Sequence, residues 1–257
     1  MKLSALVLVK NEEDIIEECL KQLDFADEII VLDQNSKDST AKIARKYTDK
    51  VFFSKSENFS KNRNILAEHT KGEWLLYLDA DEKLTSDLIS EIKKTIINPK
   101  HQAYYFARKN FILGHEMKHG GWWPDYAPRL FKKDTFIKWT GKVHESPQVK
   151  GDFGYLENPL IHKTARSVRK MFDKSIKWAK VEAELRFSAN QSKVSIPKII
   201  KASFFEFIRR YFIKKAVLDG VIGLVESIYQ ALHTVMVLTY LWELQNKTKE
   251  KYKEADK

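Results

Sequence analysis

The sequence contains one cysteine, and this scarcity excludes two ways of stabilising a fold. With Cys19 alone in 257 residues, the chain can form neither an internal disulfide nor a cysteine-based metal centre. Cys19 stands among Ile15, Ile16 and Leu20 in a helical pattern, so we predict a buried structural thiol. The 43% hydrophobic content is that of an ordinary globular protein, which has a core to bury.

Long uncharged apolar runs, internal repeats and low-complexity segments outside the C-terminal tail are also absent. Residues 1–9 carry a short apolar run without the small-residue cleavage signal of a secretory peptide. We therefore expect this run to be a first strand and the protein to be cytoplasmic. The length suits one catalytic domain with an extension.

Net positive charge is absent from the first part of the chain and concentrated in the last. Residues 1–160 hold 25 Lys and Arg against 25 Asp and Glu, whereas residues 161–257 hold 20 against 10. The whole net charge of +10 therefore comes from the C-terminal part. Such a segment suits an anionic partner, which could be a phospholipid headgroup, a phosphorylated glycolipid or nucleic acid.

The first hundred residues alternate short apolar runs with helical patterns, which is typical of βαβ units and a mostly parallel sheet. The predicted strands are residues 3–9, 28–32, 50–53 and 74–78. The predicted helices are approximately residues 12–23, 39–47, 59–69 and 86–97. This pattern indicates an α/β fold with a Rossmann-like sheet flanked by helices.

Polar residues follow three of these strands. In open α/β sheets, ligands bind beyond the carboxyl ends of the strands. Two aspartates separated by one small residue suit a hard divalent cation, Mg²⁺ or Mn²⁺, that bridges them to phosphate oxygens. The alternative is that Asp79 or Asp81 caps the helix that starts near Thr85. The residues concerned are Lys10, Asn11, Glu12, Asp33, Asp79 and Asp81.

Three further regions follow. Residues 101–165 read as short aromatic-rich strands with Gly and Pro at their turns, and we assign them to the same domain as residues 1–100. Residues 166–246 are predicted to form a helical extension, with helices over about 167–187 and 196–242. Residues 247–257 form a charged tail without a core-forming pattern.

Several motifs together resemble family 2 glycosyltransferases of the GT-A fold, over roughly residues 1–165. They are Val9-Lys10-Asn11-Glu12-Glu13, Val31-Leu32-Asp33 with Ser36 and Asp38-Ser39-Thr40, Arg63-Asn64, and Gly72-Glu73-Trp74 leading to Leu78-Asp79-Ala80-Asp81-Glu82. Within that family, three further motifs are similar to those of bacterial lipopolysaccharide core β-glucosyltransferases. The first is a Trp-x-Pro-Asp motif, present here as Trp123-Pro124-Asp125 with Trp122 before it. The other two are Arg129-Leu130-Phe131 and Val143-His144-Glu145.

The resemblance implies a donor site for a nucleotide sugar, with UDP-hexose favoured. Residues 10–12 would line it, Asp33 would accept a hydrogen bond from the base or ribose, and Arg63 would contact the base or diphosphate. Asp81, supported by Asp79 and with His144 as a further candidate ligand, would hold the metal. Each role has an alternative. Asp33 could cap the turn before Ser39, Arg63 could be a solvated helix residue, and His144 could satisfy a local hydrogen bond.

The implied reaction is a single displacement with inversion, which requires a general base. Glu145 is the first candidate for the base, because a glutamate flanked by an aromatic-rich loop can lie in a partly dry pocket, and Asp125 is the second. Many members of the family instead place the base in a Glu-Asp pair further downstream, and that region of this sequence has no such pair. For Glu145 the alternative is a surface salt bridge with Lys142. An aromatic platform for the acceptor sugar could be formed by Trp122, Trp123 and Tyr126, and the alternative is that these residues belong to the core. Arg129 could contact phosphate on the donor or acceptor, or it could form a structural ion pair.

From Ile196, apolar residues recur at helical spacing among basic ones, as in an amphipathic helix that lies on a membrane. Packing on the catalytic domain is the alternative. A membrane span over residues 216–242 is disfavoured because Asp219, Glu226 and His233 interrupt it.

We therefore expect a metal-dependent hexosyltransferase, with glucose favoured, at the cytoplasmic face of the inner membrane. Its acceptor would be a lipopolysaccharide core or another lipid-linked saccharide. Transfer to polyprenyl phosphate or protein is the second hypothesis. A noncatalytic basic adaptor that binds lipid or nucleic acid is the third, and we do not expect nucleic acid to be a partner.

Overall fold

Four parallel strands form the centre of the N-terminal part of the chain. They are β1 (Leu3–Val9), β2 (Glu28–Asp33), β3 (Val51–Phe53) and β4 (Trp74–Asp79), in the order β3-β2-β1-β4. Strands β1 and β4 are almost wholly buried, because apolar clusters cover both faces of the sheet. The predicted parallel sheet is therefore confirmed, with boundaries that differ by at most one residue.

Four helices belong to this part of the chain: α1 (Ile16–Lys21), α2 (Thr40–Ala44), α3 (Phe59–Glu68) and α4 (Ser86–Ile97). Helices α3 and α4 begin at side-chain caps, where Asn58 accepts from the Lys61 amide and Thr85 from the Leu88 amide. Helices α1 and α2 are shorter than predicted. Cys19 lies in α1 and is 2% exposed, which confirms a buried thiol.

Antiparallel strands extend this sheet beyond β4, in the order β4-β8-β6-β12-β5. The strands of this part of the chain are β5 (Glu82–Lys83), β6 (Ala103–Ile112), β7 (His115–Glu116), β8 (Tyr126–Lys132), β9 (Phe136–Thr140), β10 (Ser146–Val149), β11 (Phe153–Tyr155) and β12 (Leu160–Ala165). Strand β7 pairs antiparallel with β6, and β11 pairs parallel with β6. Strands β9 and β10 form a separate hairpin. Because β8 runs antiparallel to β4, the start of β8 lies toward the carboxyl end of β4.

The structure is a computed structural model that describes residues 2–141 and 145–255, with side chains described as far as Lys247. The chain divides into two units. The first comprises residues 1–109 and 124–163, and the second comprises residues 110–123 and 164–257.

The second unit is helical. It contains α5 (Val168–Ser188), α6 (Ile196–Ile208), a π-helical segment (Arg209–Ile213), a 3-10 turn (Ala216–Asp219) and α7 (Val221–Ala255). Residues 196–242 are largely helical, as expected, but they are divided into several segments at Lys215 and Gly220, which adopt positive φ angles of 59° and 68°. Residues Val221–Lys247 are long and apolar enough to cross a membrane, although 33% of the apolar stretch is buried within the protein.

Candidate active site

The carboxyl ends of β1, β2 and β4 bring three of the predicted polar segments to one edge of the sheet. Val9 pairs with Asp33 on one side of β1, and Leu8 pairs with Asp79 on the other. The loop of residues 10–12 therefore lies between Asp33 and Asp79. This is the edge at which an open α/β sheet binds its ligands.

Asp33 is fully buried at this edge and is only half satisfied. Its Oδ1 accepts a hydrogen bond from the Ser36 amide at 2.6 Å. Its Oδ2 is buried without a partner among the described residues. A buried carboxylate oxygen without a donor is costly, so the site suits a ligand that brings an N–H or O–H group. The imide of a base and a hydroxyl of ribose both meet that need.

The loops after β1 and β2 are joined by reciprocal hydrogen bonds. The Asn11 amide donates to Ser36 Oγ and the Glu12 amide to Thr40 Oγ1, each at 2.8 Å. Asn11 adopts φ 55° and accepts from the Lys37 amide through its side chain. These contacts fix the backbone of residues 11 and 12 beside Asp33. Their role toward a donor remains a prediction, as does that of Lys10, which pairs with Glu57 at 3.4 Å at the surface.

Arg63 reaches this edge from α3 and is not the solvated helix residue of the alternative reading. Its side chain is 8% exposed and lies over the rings of Tyr77 and Trp139, with its carbon Cζ 5.7 and 5.1 Å from the ring centroids. Its guanidinium donates to Glu145 Oε2 at 2.7 Å and to Asp79 Oδ1 at 2.8 Å. Burial alone would lower the pKa of Arg63, but the Asp79 and Glu145 carboxylates raise it, so the group stays charged.

Arg129 is buried in ion pairs, with its side chain 5% exposed. It donates to Asp79 Oδ2 at 2.5 Å and to both oxygens of Glu82, at 2.6 and 2.9 Å. Of the two predicted roles, the geometry therefore gives the structural ion pair. Burial would raise the pKa of Asp79, but Arg129 and Arg63 hold it well below its usual range.

Both candidate bases are connected to this cluster. Arg108 forms a two-point contact with Asp125 at 3.0 Å and lies 3.8 Å from Glu82. The result is one series of alternating charges, in the order Glu145, Arg63, Asp79, Arg129, Glu82, Arg108 and Asp125. Motif reasoning missed the roles of Glu82 and Arg108. The available signal in the sequence was the position of Glu82 directly after the Asp-x-Asp motif. In the structure, Glu82 is 2% exposed.

Asp81 differs from Asp79 in its surroundings. Its Oδ2 lies 3.4 Å from Nε2 of His162, a residue of β12. The side chains of Asp79 and Asp81 are similarly exposed, at 28% and 25%, and both oxygens of Asp79 accept hydrogen bonds from guanidinium groups.

The fit of a divalent metal follows from these contacts. Among the described residues, no group of three or more Asp, Glu, His and Cys side chains could hold a metal on its own. One carboxylate together with the phosphate oxygens of a substrate is, however, a common way to bind Mg²⁺. Asp81 fits that arrangement. His144, the other predicted ligand, lies outside the described residues.

The predicted acceptor residues do not belong to one unit. Tyr126 lies in the first unit, where its exposed ring packs edge-on against Tyr155 with centroids 4.9 Å apart. Trp122 and Trp123 lie in the second unit. Trp122 lines a cavity there, whereas Trp123 is 42% exposed. Binding of an acceptor by these three residues remains a prediction.

Comparison with known proteins gives a consistent result. The family profile described as glycosyl transferase family 2 matches residues 4–149. An uncharacterized glycosyltransferase of Rickettsia conorii is 25% identical over 96% of this chain and 92% of its own length. The lipopolysaccharide core biosynthesis glycosyltransferase LpsC of Rhizobium meliloti is 20% identical over 95% of this chain and 93% of its own.

Two solved structures also resemble the chain. S. aureus TarS 1-349 in complex with UDP-GlcNAc is 13% identical, covers 99% of this chain and 92% of its own, and has a TM-score of 0.48. Glucosyl-3-phosphoglycerate synthase from Mycobacterium tuberculosis, crystallised with Mn²⁺ and UDP, is 22% identical over 44% of each chain, with a TM-score of 0.36.

Proposed function

The chain belongs to glycosyl transferase family 2, and from this premise we propose that it transfers a hexose, with inversion, from a UDP-sugar to a lipid-linked saccharide. The observation that carries the proposal is the strand-end site. It combines a carboxylate oxygen of Asp33, buried without a partner among the described residues, with the Asp81 carboxylate, which is 25% exposed and can reach a bound ligand. The first suits a uracil imide and the second a metal-bound diphosphate.

Asp81 would hold Mg²⁺ or Mn²⁺ together with the donor diphosphate. When bound, the ion neutralises the negative charge that grows on the leaving group. The seven-residue charge series contains four carboxylates and three guanidiniums, and Asp81 adds one more negative charge. Carboxylate oxygens such as those of Asp81 are ligands that Mg²⁺ and Mn²⁺ prefer. Asp79 then serves to hold Arg63 and Arg129 in position.

Glu145 is the base that we favour. It is engaged through Oε2 by a single N–H of Arg63, whereas both oxygens of Asp125 are bound by Arg108. Glu145 thus keeps an oxygen that no guanidinium of the described residues binds, and this oxygen can accept the proton of an acceptor hydroxyl. Glu145 would take the proton of the acceptor hydroxyl as its oxygen forms the new bond to the anomeric carbon and UDP departs.

For the acceptor, we favour a lipopolysaccharide core or a similar lipid-linked saccharide, with glucose as the first sugar to test. Support comes from the motif resemblance and from the relative LpsC, whose name places it in core biosynthesis. A lipid-linked acceptor would put the enzyme at the cytoplasmic face of the inner membrane. The basic C-terminal part of the chain suits that anionic surface.

The experiment is a panel of nucleotide sugars with Mn²⁺, read by the shift in Tm and by release of the nucleoside diphosphate. We expect UDP-glucose or another UDP-hexose to raise Tm, because a ligand that binds only the folded state stabilises it. Asp81→Asn should lose the shift, and Asp134→Asn, at an exposed carboxylate, should keep it. A full shift and full activity in Asp81→Asn would reject the metal site. Transfer only to polyprenyl phosphate or protein would reject the acceptor.

A further inference from the structure

The helical unit presents an unusually apolar surface to solvent. On α6 and α7, exposed apolar residues recur every three or four positions and so form one stripe on each helix. On α6 these residues are Ile196, Ile200 and Phe204, and on α7 they are Val221, Val225, Ile228 and Leu232. The turns between the helices expose Phe212, Ile213, Val217 and Leu218. Isolated exposed apolar residues are normal, but a run over consecutive elements marks an interaction site.

Basic residues accompany this surface. Residues 193–215 contain seven Lys and Arg and a single acidic residue, Glu206. Glu206 is paired with Arg209 and Arg210 and so adds little free negative charge. An apolar stripe beside exposed cations such as Lys201, Lys214 and Lys215 is complementary to an anionic lipid surface rather than to a neutral protein face.

The other face of α7 is already occupied within the protein. Leu238 and Leu241 are buried in a cluster with Ala183 of α5. Near the start of α7, the Tyr229 hydroxyl donates to the Met171 carbonyl at 2.7 Å. Gly223 lies against the 3-10 turn so closely that a Cβ there would be 1.8 Å from the Ala216 carbonyl oxygen. Helix α7 is therefore a packed component of its unit.

This packing argues against α7 as a membrane span. Helix α5 contacts α7 along its length and carries nine charged residues among its 21. A span would draw these charges, together with the buried Glu226, toward the hydrocarbon, at a cost of about 2.5–3.5 kcal/mol for a charge at the bilayer centre.

We propose that α6, the turns of residues 209–219 and the first half of α7 insert their exposed apolar face into one leaflet of an anionic bilayer, with both helices in the membrane plane. The partner is the phospholipid bilayer itself. This inference rests on the proposed function, because an enzyme with a lipid-linked acceptor has to reach the membrane. Its test measures vesicle binding and does not depend on transfer activity.

The test is flotation of the purified full chain with phosphatidylcholine vesicles that contain or lack about 30% phosphatidylglycerol. We expect binding to anionic vesicles and at least tenfold weaker binding of the triple variant Phe204→Glu/Ile213→Glu/Leu218→Glu. The matched control is Val168→Glu/Ile176→Glu, which places charge at exposed apolar positions of α5 and should bind as the wild type does. Equal binding by the triple variant would overturn the proposal.

A second measurement separates in-plane insertion from a span. The only native cysteine is buried, so a Lys247→Cys variant gives a single reactive thiol. On sealed anionic vesicles, an impermeant maleimide added outside should label this thiol completely, whereas protection until detergent is added would overturn the proposal.

A different result would assign the apolar face to a second copy of the chain and overturn the proposal. In that case the protein would not bind vesicles, and light scattering would show a dimer that the triple variant abolishes. The triple variant should still show the UDP-sugar Tm shift, so a failed membrane test leaves the proposed function standing.

Discussion

Arg63 joins Glu145 to Asp79: its Nε donates to the first at 2.7 Å and its terminal nitrogen to the second at 2.8 Å. One buried guanidinium thus connects the candidate base to the Asp-x-Asp segment. Arg129 holds the other oxygen of Asp79, so this aspartate is a structural anchor for two cations. Within Asp-x-Asp, Asp79 thus holds two arginines, and Asp81 is the aspartate that we propose to hold the metal.

Asp79→Asn is expected to destabilise the protein. The substitution removes a charge that two buried arginines share, and loss of one partner from a buried ion pair typically costs about 3–5 kcal/mol. Urea unfolding measures the change in the free energy of unfolding. Asp134→Asn, at an ion pair exposed to solvent, should change it by less than about 0.5 kcal/mol. Equal stability of the two variants would show that the anchor role is wrong.

Asp33→Asn is expected to separate stability from donor binding. The amide oxygen can still accept from the Ser36 amide, and the buried Oδ2 loses a charge that nothing in the described structure satisfies. The free energy of unfolding should therefore be unchanged or higher. The affinity for UDP, measured by calorimetry, should fall about tenfold or more, because a hydrogen bond to a charged group contributes roughly 1.5–3 kcal/mol. Unchanged UDP affinity would remove Asp33 from the donor site.

Glu145→Gln and Asp125→Asn are expected to differ in turnover. A general base contributes about 10²–10⁴ in rate, and the glutamine can keep a hydrogen bond with Arg63 Nε through its amide oxygen. We expect kcat to fall by about that factor in Glu145→Gln while the Kd for UDP changes less than about threefold. Asp125→Asn should lower kcat by less than about tenfold. The reverse order would make Asp125 the base.

Glu226 is expected to make stability depend on pH. It is 2% exposed and lines a cavity of about 210 Å³ in the helical unit, and burial raises its pKa to about 7. In the unfolded chain the pKa is near 4.5, so between these values the native state binds more protons than the unfolded state. Stability therefore falls as pH rises from about 4.5 to about 7, by roughly 3 kcal/mol in total, and is level above that.

The measurement is urea unfolding between pH 4.5 and 8.5 for the wild type and for Glu226→Gln. The amide cannot ionise, so the variant should lack this slope and should exceed the wild type most at pH 8. Glu184→Gln, at an exposed position of α5, is the matched control and should keep the slope. A slope that persists in Glu226→Gln would assign the pH dependence to another group.

Sequence reasoning predicted the parallel sheet well because its strands are buried on both faces and so read as unbroken apolar runs. It placed Asp33 and Asp79 at one edge for the same reason. It did not predict that Arg63 and Arg129 share Asp79, since those contacts join residues 16 and 50 positions apart. It also missed the break near Lys215, because a lysine at positive φ carries no signal in the sequence.

The central claim is that Asp81 holds a divalent metal together with the donor diphosphate. Electron paramagnetic resonance of free Mn²⁺, titrated with protein in the presence and absence of UDP, tests it without any acceptor. We expect tight Mn²⁺ binding only when UDP is present, its loss in Asp81→Asn and its retention in Asp134→Asn. UDP-dependent Mn²⁺ binding of undiminished affinity in Asp81→Asn would contradict the account.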